Sequence, residues 1–455
     1  MPRSVNKTIS GWGNYPQAGC HLFRPHRQSD LAHVFEDQVQ KNFIPRGLGR
    51  SYGDASLNQD QGVILLTQLD RFMTFDEQTG VVECESGVSI GTIIDVFLPR
   101  GFFPVVTPGT QFVTVGGAIA ADIHGKNHHR DGSMAECVLG FTLLIPTGEI
   151  LTCSREKNED LFWATIGGMG LTGVIVTARL QLRRVESGYL RVIYQQAEHV
   201  DQLLAHFDFH NQDDSYSVAW IDCLATGASL GRGVLMLADH AQCDDLPVHA
   251  RLQPLQPRRR RRQSVPFFMP GAVLNPMTVR RFNALYYRRH ASCEKLVDYE
   301  TFFFPLDRIH HWNRIYGKRG FVQYQVVLPS DGGHDGIKRL LERIASSGAA
   351  SFLAVLKKLG RPSGGLLSFP RDGYTLSLDL PNTGSQLLDL VGALDRIVLD
   401  QGGRLYLAKD ACLDRSSFER MYPELDHFRQ VKARLDPDIR LSSSLARRLG
   451  IVDYS

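Results

Sequence analysis

The residues of this chain that are best suited to chemistry on a phosphorylated ligand lie in three glycine-rich segments. The longest, residues 108–129, contains four glycines, three histidines and Lys126 but few large apolar side chains. Glycine lets the backbone approach a ligand closely and adopt positive φ, so that successive N–H groups can converge on a phosphate. A segment of this composition is predicted to make a poor core element. Taken alone, it fits a glycine-rich surface turn as well as it fits a nucleotide-binding loop.

A second segment, residues 45–54, follows a strand that is predicted at residues 42–44. It combines closely spaced glycines with Arg46 and hydroxyl-bearing side chains, which is the composition of a pyrophosphate-binding loop. A plain hairpin loop is the alternative for this segment on its own. The presence of three such segments in one chain favours a nucleotide cofactor.

The third segment, residues 160–173, contains a formal G-x-G-x-x-G at residues 168–173. That fingerprint marks a Rossmann fold only where it follows a strand and opens a helix. Here residues 160–164 predict a helical turn, and the β-branched, partly alternating run at residues 174–182 predicts a strand. Because the order is helix, loop, strand, the sequence argues against a Rossmann domain.

The elements that must position these segments are predicted from hydrophobic periodicity. In the first half we expect helices at 29–35 and 89–98, strands at 62–66 and 80–85, and two short strands within 138–151. In the second half we expect strands at 189–194, 215–222, 320–328, 351–356 and 375–381, and helices at 199–207, 336–346 and 385–400. The βαββαβ order of the second half predicts an antiparallel sheet covered by helices, and the whole chain is predicted to be α+β.

Length and composition place the chain among ordinary globular proteins. At 455 residues it is long enough for two domains, and its net charge of +3 is too small to indicate nucleic-acid binding. The eight cysteines include no C-x-x-C pair, so we expect reduced thiols and no metal site. No signal-peptide pattern opens the sequence, and no apolar run approaches the ~20 residues of a spanning helix. The sequence therefore predicts a cytoplasmic protein, at most attached to a membrane surface.

Residues 240–290 are predicted to be less regular and contain a run of five arginines, Arg258–Arg262, shortly before Phe267 and Phe268. A basic run is usually a solvated, mobile loop. Basic residues beside aromatic ones also suit an anionic lipid surface or a phosphate head group. Both interpretations hold together if a mobile loop becomes ordered over a substrate.

In their order and separation, the three glycine-rich segments resemble the FAD-binding domain of the vanillyl-alcohol-oxidase (PCMH-type) flavoproteins. Residues 402–410 and 445–449 extend the likeness, and the chain most closely resembles the flavoprotein subunits of the decaprenylphosphoryl-β-D-ribose 2′-epimerase family. The likeness covers nearly the whole chain and is weakest between about 225 and 295.

The resemblance implies a two-domain α+β flavoprotein. Its FAD-binding domain would cover residues 1–186, and a substrate domain would cover 187–400 with a mobile basic loop near 245–290. A C-terminal segment, 401–455, would return to the FAD-binding domain.

The resemblance also implies that FAD is the cofactor. The positions that it assigns to FAD binding are Pro45, Arg46, Gly47, Leu48, Gly49, Arg50, Ser51, Tyr52, Gly53, Asp54, Ala55, Gly109, Thr114, Val115, Gly116, Gly117, Ala121, Asp122, Ile123, His124, Ile175 and Tyr406. Many related oxidases carry a histidine where this chain has Arg50, and that histidine bonds the flavin covalently. Arginine cannot form this bond, so we predict non-covalent, dissociable FAD.

The implied reaction is oxidation of the 2′-hydroxyl of a polyprenyl-phosphoryl ribofuranose to a ketone. A separate NAD(P)H-dependent keto-reductase would then complete epimerisation to the arabinose lipid, a precursor of cell-wall arabinan. Hydride transfer to a flavin requires a base for the hydroxyl proton. Lys409 is our first choice, because desolvation beside a flavin lowers the pKa of a lysine towards working pH. His124 and Tyr52 are expected to position the flavin or the sugar.

Four further residues are predicted to line the substrate pocket. Gln325 and Lys357 match family positions that contact sugar and phosphate, and Trp220 is expected to be core or pocket wall. Ser377 stands where a family member has cysteine. This difference removes a soft nucleophile, so thiol-directed covalent inhibitors are expected to fail.

Two other functions are compatible with parts of the sequence. The first keeps the fold but changes the reaction to that of an FAD-dependent aldonolactone- or alditol-type sugar oxidase that passes electrons to oxygen. Those relatives usually carry the histidine that Arg50 replaces, which counts against this alternative. The second is a basic membrane- or nucleic-acid-binding module built on Arg258–Arg262, which would leave the three glycine-rich segments unexplained.

Overall fold

The computed structural model describes residues 4–37, 39–210, 214–257, 261–349 and 351–452. Arg258, Arg259 and Arg260 of the predicted basic run lie outside these residues. The described residues form four sheets and fifteen α-helices of four residues or more. None of these helices is long and apolar enough to cross a bilayer. The mixture of helices and largely antiparallel sheets confirms the predicted α+β class.

Two sheets belong to the first 186 residues. The four-stranded sheet has the order Val5–Ser10, Gln17–Phe23, Gly62–Leu65, Phe43–Arg46. The six-stranded sheet has the order Phe72–Asp76, Val81–Glu85, Val174–Arg184, Val138–Leu144, Ile150–Cys153, and Phe102–Pro104 also pairs with Val174–Arg184. The helices of this part are Gln28–Phe35, Ile90–Phe97, Val115–Ala120, His128–Asp131, Met134–Cys137 and Glu159–Thr165.

The formal G-x-G-x-x-G lies between helix Glu159–Thr165 and strand Val174–Arg184. The order is therefore helix, loop, strand, and the rejection of a Rossmann domain is confirmed. The helix ends at Thr165, and the chain then turns at Gly167 and Gly170, which both adopt positive φ.

The second half contains an antiparallel eight-stranded sheet. Its order is Cys293–Asp298, Tyr189–Ala197, Gly233–His240, Tyr216–Ile221, Ala354–Leu359, Gly373–Pro381, Phe321–Pro329, Arg404–Leu405. Helices Val200–Phe209, Gly333–Ser347 and Ser385–Asp400 bury their apolar faces in the same core as the sheet. The predicted sheet covered by helices is confirmed, and three of its strands, Gly233–His240, Cys293–Asp298 and Arg404–Leu405, were not predicted.

The remaining elements of the second half are short or peripheral. The α-helices are Val248–Arg251, Pro276–Arg289, Tyr299–Phe303, Arg415–Met421, Leu425–Leu435 and Ser444–Arg448. Single 3-10 turns form at Leu98–Arg100, Gly227–Ser229, Cys243–Asp245, Gly271–Val273 and Trp312–Tyr316, and a two-stranded parallel sheet joins Gln263–Ser264 to Ile309–His310.

Two expectations from the sequence were wrong. Residues 115–120 form a helix whose Val115, Ala118 and Ile119 are fully buried, so this glycine-rich stretch is a core element. Its glycines allow that packing, since a Cβ on Gly116 would lie 2.9 Å from the Cβ of Ser86. Within 240–290, the 14-residue helix Pro276–Arg289 was missed because it buries little apolar surface, chiefly that of Val279. Asn275 as N-cap followed by proline was the available signal.

The C-terminal segment joins both halves of the molecule. Arg404–Leu405 adds the last strand to the eight-stranded sheet, pairing with Val326 and Val327. Further on, Leu441 bridges to Phe43 of the four-stranded sheet. The turn that follows Arg404–Leu405 therefore lies between the two halves.

Candidate active site

A cavity of about 570 Å³ lies where the first half, the eight-stranded sheet and the C-terminal turn meet. This volume is in the range of small-molecule and cofactor pockets. Most of the residues predicted for the site line it. They are Pro45, Arg46, Gly47, Leu48, Gly49, Arg50, Ser51, Tyr52, Ala55, Gly109, Thr114, Gly116, Gly117, Ala121, Ile123, His124, Ile175, Trp220, Gln325, Lys357, Ser377, Tyr406 and Lys409.

Four predicted cofactor residues do not line the cavity, and two of them belong to the second glycine-rich segment. Asp54 is buried in an ion pair with Arg448, whose Nη2 lies 2.7 Å from Asp54 Oδ1. Gly53 packs against the tail, where an added Cβ would lie 1.8 Å from the backbone oxygen of Asp410. Both residues therefore fasten the segment to the C-terminal tail.

The other two are Val115 and Asp122. Val115 is part of the apolar core beneath the cavity. The carboxylate of Asp122 is fully buried and accepts hydrogen bonds from the hydroxyls of Ser133, Ser363 and Ser368. Because these partners hold it inside the protein, Asp122 shapes the wall without reaching the cavity.

The lining fits FAD. No hydrogen bond among the described residues uses the backbone N–H groups of residues 47–51, which line the cavity in succession. Such a run of free N–H groups is suited to a pyrophosphate. A Cβ on Gly109 would meet no protein atom within 4 Å, so this part of the wall leaves room for a ligand. Arg50 adds positive charge, and its buried Nε has no hydrogen-bond partner within the part of the chain that the structure describes.

Lys409 lies in a turn that is held by backbone hydrogen bonds, both within the turn and to the eight-stranded sheet. Its N–H donates to the backbone oxygen of Tyr406 at 2.9 Å, and Tyr406 N–H donates to that of Gln325 at 3.0 Å. The Nζ atom lies 4.0 Å from the ring centroid of Tyr52. The pKa of Lys409 is lowered to about 7, mainly by burial; the carboxylate of Asp379 opposes this shift and the positive charge of Lys357 contributes to it. An amine with this pKa is a competent base near neutral pH.

Two more lysines line the same cavity. Burial lowers the pKa of Lys357 to about 8. Burial, together with the charge of Lys357, lowers the pKa of Lys126 to about 7. The Lys126 ammonium donates to the backbone oxygen of Phe302 and lies 4.0 Å from the centroid of its ring. The cavity therefore carries cationic groups that can meet an anionic ligand.

His124 is held neutral. Burial is the main cause that lowers its pKa well below the ordinary value, and the charges of Lys357, His128 and Lys409 act in the same direction. Gln325 Nε2 donates to His124 Nε2 at 3.0 Å, which places the imidazole proton on Nδ1. Nδ1 is buried without a hydrogen-bond partner among the described residues. It is thus available to donate to a ligand in the cavity.

Several residues of the site were not predicted from the sequence. Trp12 lines the cavity, and its ring lies 3.9 Å from the Arg50 guanidinium carbon. Gln323 was also missed, although its position two residues before Gln325 on the same strand was a usable signal. Gln323 Nε2 donates at 2.7 Å to Asp379, whose pKa burial raises to about 7.

The cavity is lined by closely spaced glycines and by a lysine of lowered pKa, and a family profile described as the FAD binding domain matches residues 21–154. Together they indicate an FAD-dependent oxidoreductase. The chain is 37% identical to the decaprenylphosphoryl-beta-D-ribose oxidase of Mycolicibacterium smegmatis over 455 aligned residues. The alignment covers 99% of this chain and 98% of that enzyme. The chain belongs to the decaprenylphosphoryl-β-D-ribose oxidase family.

Two further relatives extend the comparison. An uncharacterized protein of Streptomyces coelicolor is 37% identical over 374 residues, which cover 80% of this chain and 100% of that protein. The L-gulono-1,4-lactone dehydrogenase of Mycobacterium tuberculosis is 21% identical over 454 residues, or 96% of this chain and 98% of that enzyme. The alignments thus cover at least 98% of the length of each of these three relatives.

Proposed function

We propose that this protein oxidises the 2′-hydroxyl of a polyprenyl-phosphoryl-β-D-ribofuranose to the 2′-ketone, the first half of epimerisation to the arabinose lipid. The family membership supports the substrate class. The single observation that supports the chemistry is the amine of Lys409, which faces the same cavity as the glycine-rich cradle and has a pKa of about 7.

The reaction removes a hydride and a proton from one carbinol. When bound, FAD supplies the two-electron acceptor for the hydride. The neutral amine of Lys409 takes the proton of the 2′-hydroxyl as the C–H electron pair leaves and the carbonyl forms. The N–H of His124 Nδ1 can hold the sugar, while Gln325 fixes the imidazole ring. The buried ring of Tyr52 forms the wall below the Lys409 amine and excludes water from it.

The phosphate of the substrate needs a cationic partner. Lys357 has a pKa of about 8, so its amine carries a proton in most molecules at neutral pH. We assign it to the phosphate, with Ser377 and Trp220 forming the adjoining pocket wall. Ser377 lies directly across the sheet from Gln325, which brings the two side chains to one face.

Mass spectrometry of the native protein mixed with polyprenyl-phosphoryl ribose tests this proposal. We expect a 2′-keto product together with bleaching of the flavin absorbance. Lys409→Ala is expected to keep the yellow cofactor and lose turnover by a factor of about 10²–10⁴. Lys338→Ala, which alters an exposed ion pair with Asp201, is the matched control and should leave turnover unchanged. Unchanged turnover in Lys409→Ala would remove Lys409 from the mechanism.

An aldonolactone- or alditol-type oxidase is the second candidate, because the lactone dehydrogenase relative matches nearly the full length of the chain. Purified protein that oxidised free sugar alcohols or lactones and released peroxide would favour it. Failure to oxidise phosphoryl ribose would be required as well.

Two partners complete the proposal. The 2′-ketone would be consumed by a separate NAD(P)H-dependent keto-reductase, which supplies the opposite hydride transfer. The lipid substrate would bring the protein to the cytoplasmic face of the inner membrane as a peripheral protein. Co-purification with the reductase and fractionation of cells test these two statements separately.

A further inference from the structure

One patch of the surface beside the cavity is unusually apolar. Within residues 263–279 the sequence contains no charged side chain, whereas arginines stand directly before this stretch and directly after it. The apolar side chains of the stretch and of the helix that follows are exposed to a degree that folding alone does not favour. The apolar members are Phe267, Phe268, Val273, Met277, Phe282 and Leu285. We call these six residues the apolar patch.

Helix Pro276–Arg289 carries half of the patch on its outer face. Met277 is 64% exposed, and Leu285, two turns further along the same face, is 49% exposed. The inner face of the helix buries Val279 and Asn283. The exposed apolar face is therefore the one that points away from the protein.

Arginines alternate with the apolar residues on that outer face. Arg280, Arg281, Arg288 and Arg289 are exposed, and the helix contains no acidic residue. The hydrogen bonds and ion pairs of the described residues engage none of these four guanidinium groups. A helix with interleaved apolar and cationic side chains suits the interface of an anionic bilayer, where arginine stems snorkel and their charges meet lipid phosphates.

The segment that carries Phe267 and Phe268 is fixed to the cavity wall. Arg314 Nη1 donates to the backbone oxygens of Val265 and Pro266, at 3.0 and 2.9 Å, and Met269 N–H donates to the Arg314 backbone oxygen at 2.9 Å. Arg314 belongs to the 3-10 turn Trp312–Tyr316, and Trp312 lines the cavity. The exposed phenylalanines are therefore held close to the site.

The same helix also contributes to the cavity from its other side. Tyr286 and His290 line the cavity, and the Tyr286 ring lies 4.5 Å from that of Trp220 and 4.0 Å from that of His290. One side of this element thus faces the site and the opposite side faces outward with apolar and cationic groups.

We propose that the apolar patch and the arginines of helix Pro276–Arg289 dock the protein on an anionic lipid bilayer. Resting on the proposed function, this assigns the surface across which a lipid-linked sugar reaches the site: the phosphoryl sugar enters the cavity while its prenyl chain stays in the bilayer. An anionic bilayer is the occupant that this surface fits, because the apolar side chains match the acyl boundary, the arginines match the lipid phosphates, and the proposed substrate is itself lipid-linked.

Flotation of the FAD-loaded protein with vesicles tests the proposal without turnover. Wild type should bind vesicles of phosphatidylcholine with phosphatidylglycerol and bind phosphatidylcholine alone weakly. The triple variant Phe267→Ser, Met277→Ser, Leu285→Ser should lose about tenfold or more in binding to the anionic vesicles. The double variant Met73→Ser, Leu388→Ser removes exposed apolar groups elsewhere and should bind as wild type.

The charge contribution has its own pair of variants. Arg281→Gln with Arg288→Gln should weaken binding to the anionic vesicles by about tenfold and leave binding to phosphatidylcholine unchanged. Arg343→Gln with Arg420→Gln makes the same change in net charge at exposed positions on other helices and should have a smaller effect. Bound flavin and the melting temperature, measured for all variants, exclude misfolding.

Three results would overturn the proposal. The first is that the wild-type protein stays in solution when it is mixed with anionic vesicles. The second is that the patch variants bind these vesicles as strongly as their controls do. The third is that the patch mediates self-association or binds the purified reductase instead of a bilayer. Turnover of a short-chain, water-soluble phosphoryl ribose separates this inference from the proposed function. Turnover of this substrate without vesicle binding would refute the proposed docking surface alone. Vesicle binding without any turnover would refute the proposed function alone.

Discussion

The protonation state of Lys409 leads to a quantitative prediction about pH. With a pKa of about 7, roughly one amine in two is neutral at pH 7. A lysine with an ordinary pKa would be neutral in only about one molecule in three thousand. Since only the neutral amine can accept the hydroxyl proton, burial raises the amount of competent base by about 10³-fold.

The assay is the rate of flavin bleaching in a single turnover with the phosphoryl ribose. Below pH 7 the rate should rise about tenfold for each pH unit, and above pH 7 it should level off, because the neutral form then dominates. A rate that is independent of pH between 5.5 and 8.5, or that falls as pH rises, would refute the assignment of Lys409 as the base.

Two neighbouring charges give the matched variants. Asp379 stabilises the ammonium form, so Asp379→Asn should move the midpoint of the profile to lower pH. Lys357 destabilises the ammonium form, so Lys357→Met should move the midpoint to higher pH. Asp379 itself has a pKa raised to about 7 by burial, so the carboxyl and the amine titrate as a pair. Shifts in the same direction for both variants would contradict this electrostatic account.

Three further predictions follow from single contacts. Acid or detergent denaturation should release free FAD quantitatively, because Arg50 cannot bond the flavin; flavin that stays on the polypeptide would contradict this. No cysteine is among the described residues that line the cavity, so thiol-reactive inhibitors should leave it unmodified, whereas Ser377→Cys should form an adduct that mass spectrometry detects. Arg448→Met should lower the free energy of unfolding by about 3 kcal/mol, measured by denaturant titration, because it leaves the buried carboxylates of Asp54 and Asp410 unpaired; unchanged stability would refute the importance of this pairing.

Much of the fold follows from local patterns. The strands and helices that carry strong hydrophobic periodicity, such as Ile90–Phe97 and Val174–Arg184, form where they were predicted. The elements that were missed, such as Pro276–Arg289, bury few side chains, so their amphipathic signal is weak. Strand Ala354–Leu359 lies three residues later than predicted, because its pairing with Gly373–Pro381 sets its limits.

The site divides in the same way. The sequence by itself indicated that residues 45–54 are suited to a phosphate, because closely spaced glycines let the backbone approach a ligand, and that signal is local. The tertiary structure alone decided which side chains of the cradle reach the cavity. It turned Asp54 towards Arg448, nearly 400 residues away in the chain.

Only the tertiary structure supplies the surroundings that lower the pKa of Lys409. A lysine acquires a pKa near 7 through loss of water and the charges around it, and these come from Tyr52, Lys357 and Asp379 on three separate elements. Desolvation and Coulomb interactions act through space, so no local pattern around Lys409 contains them.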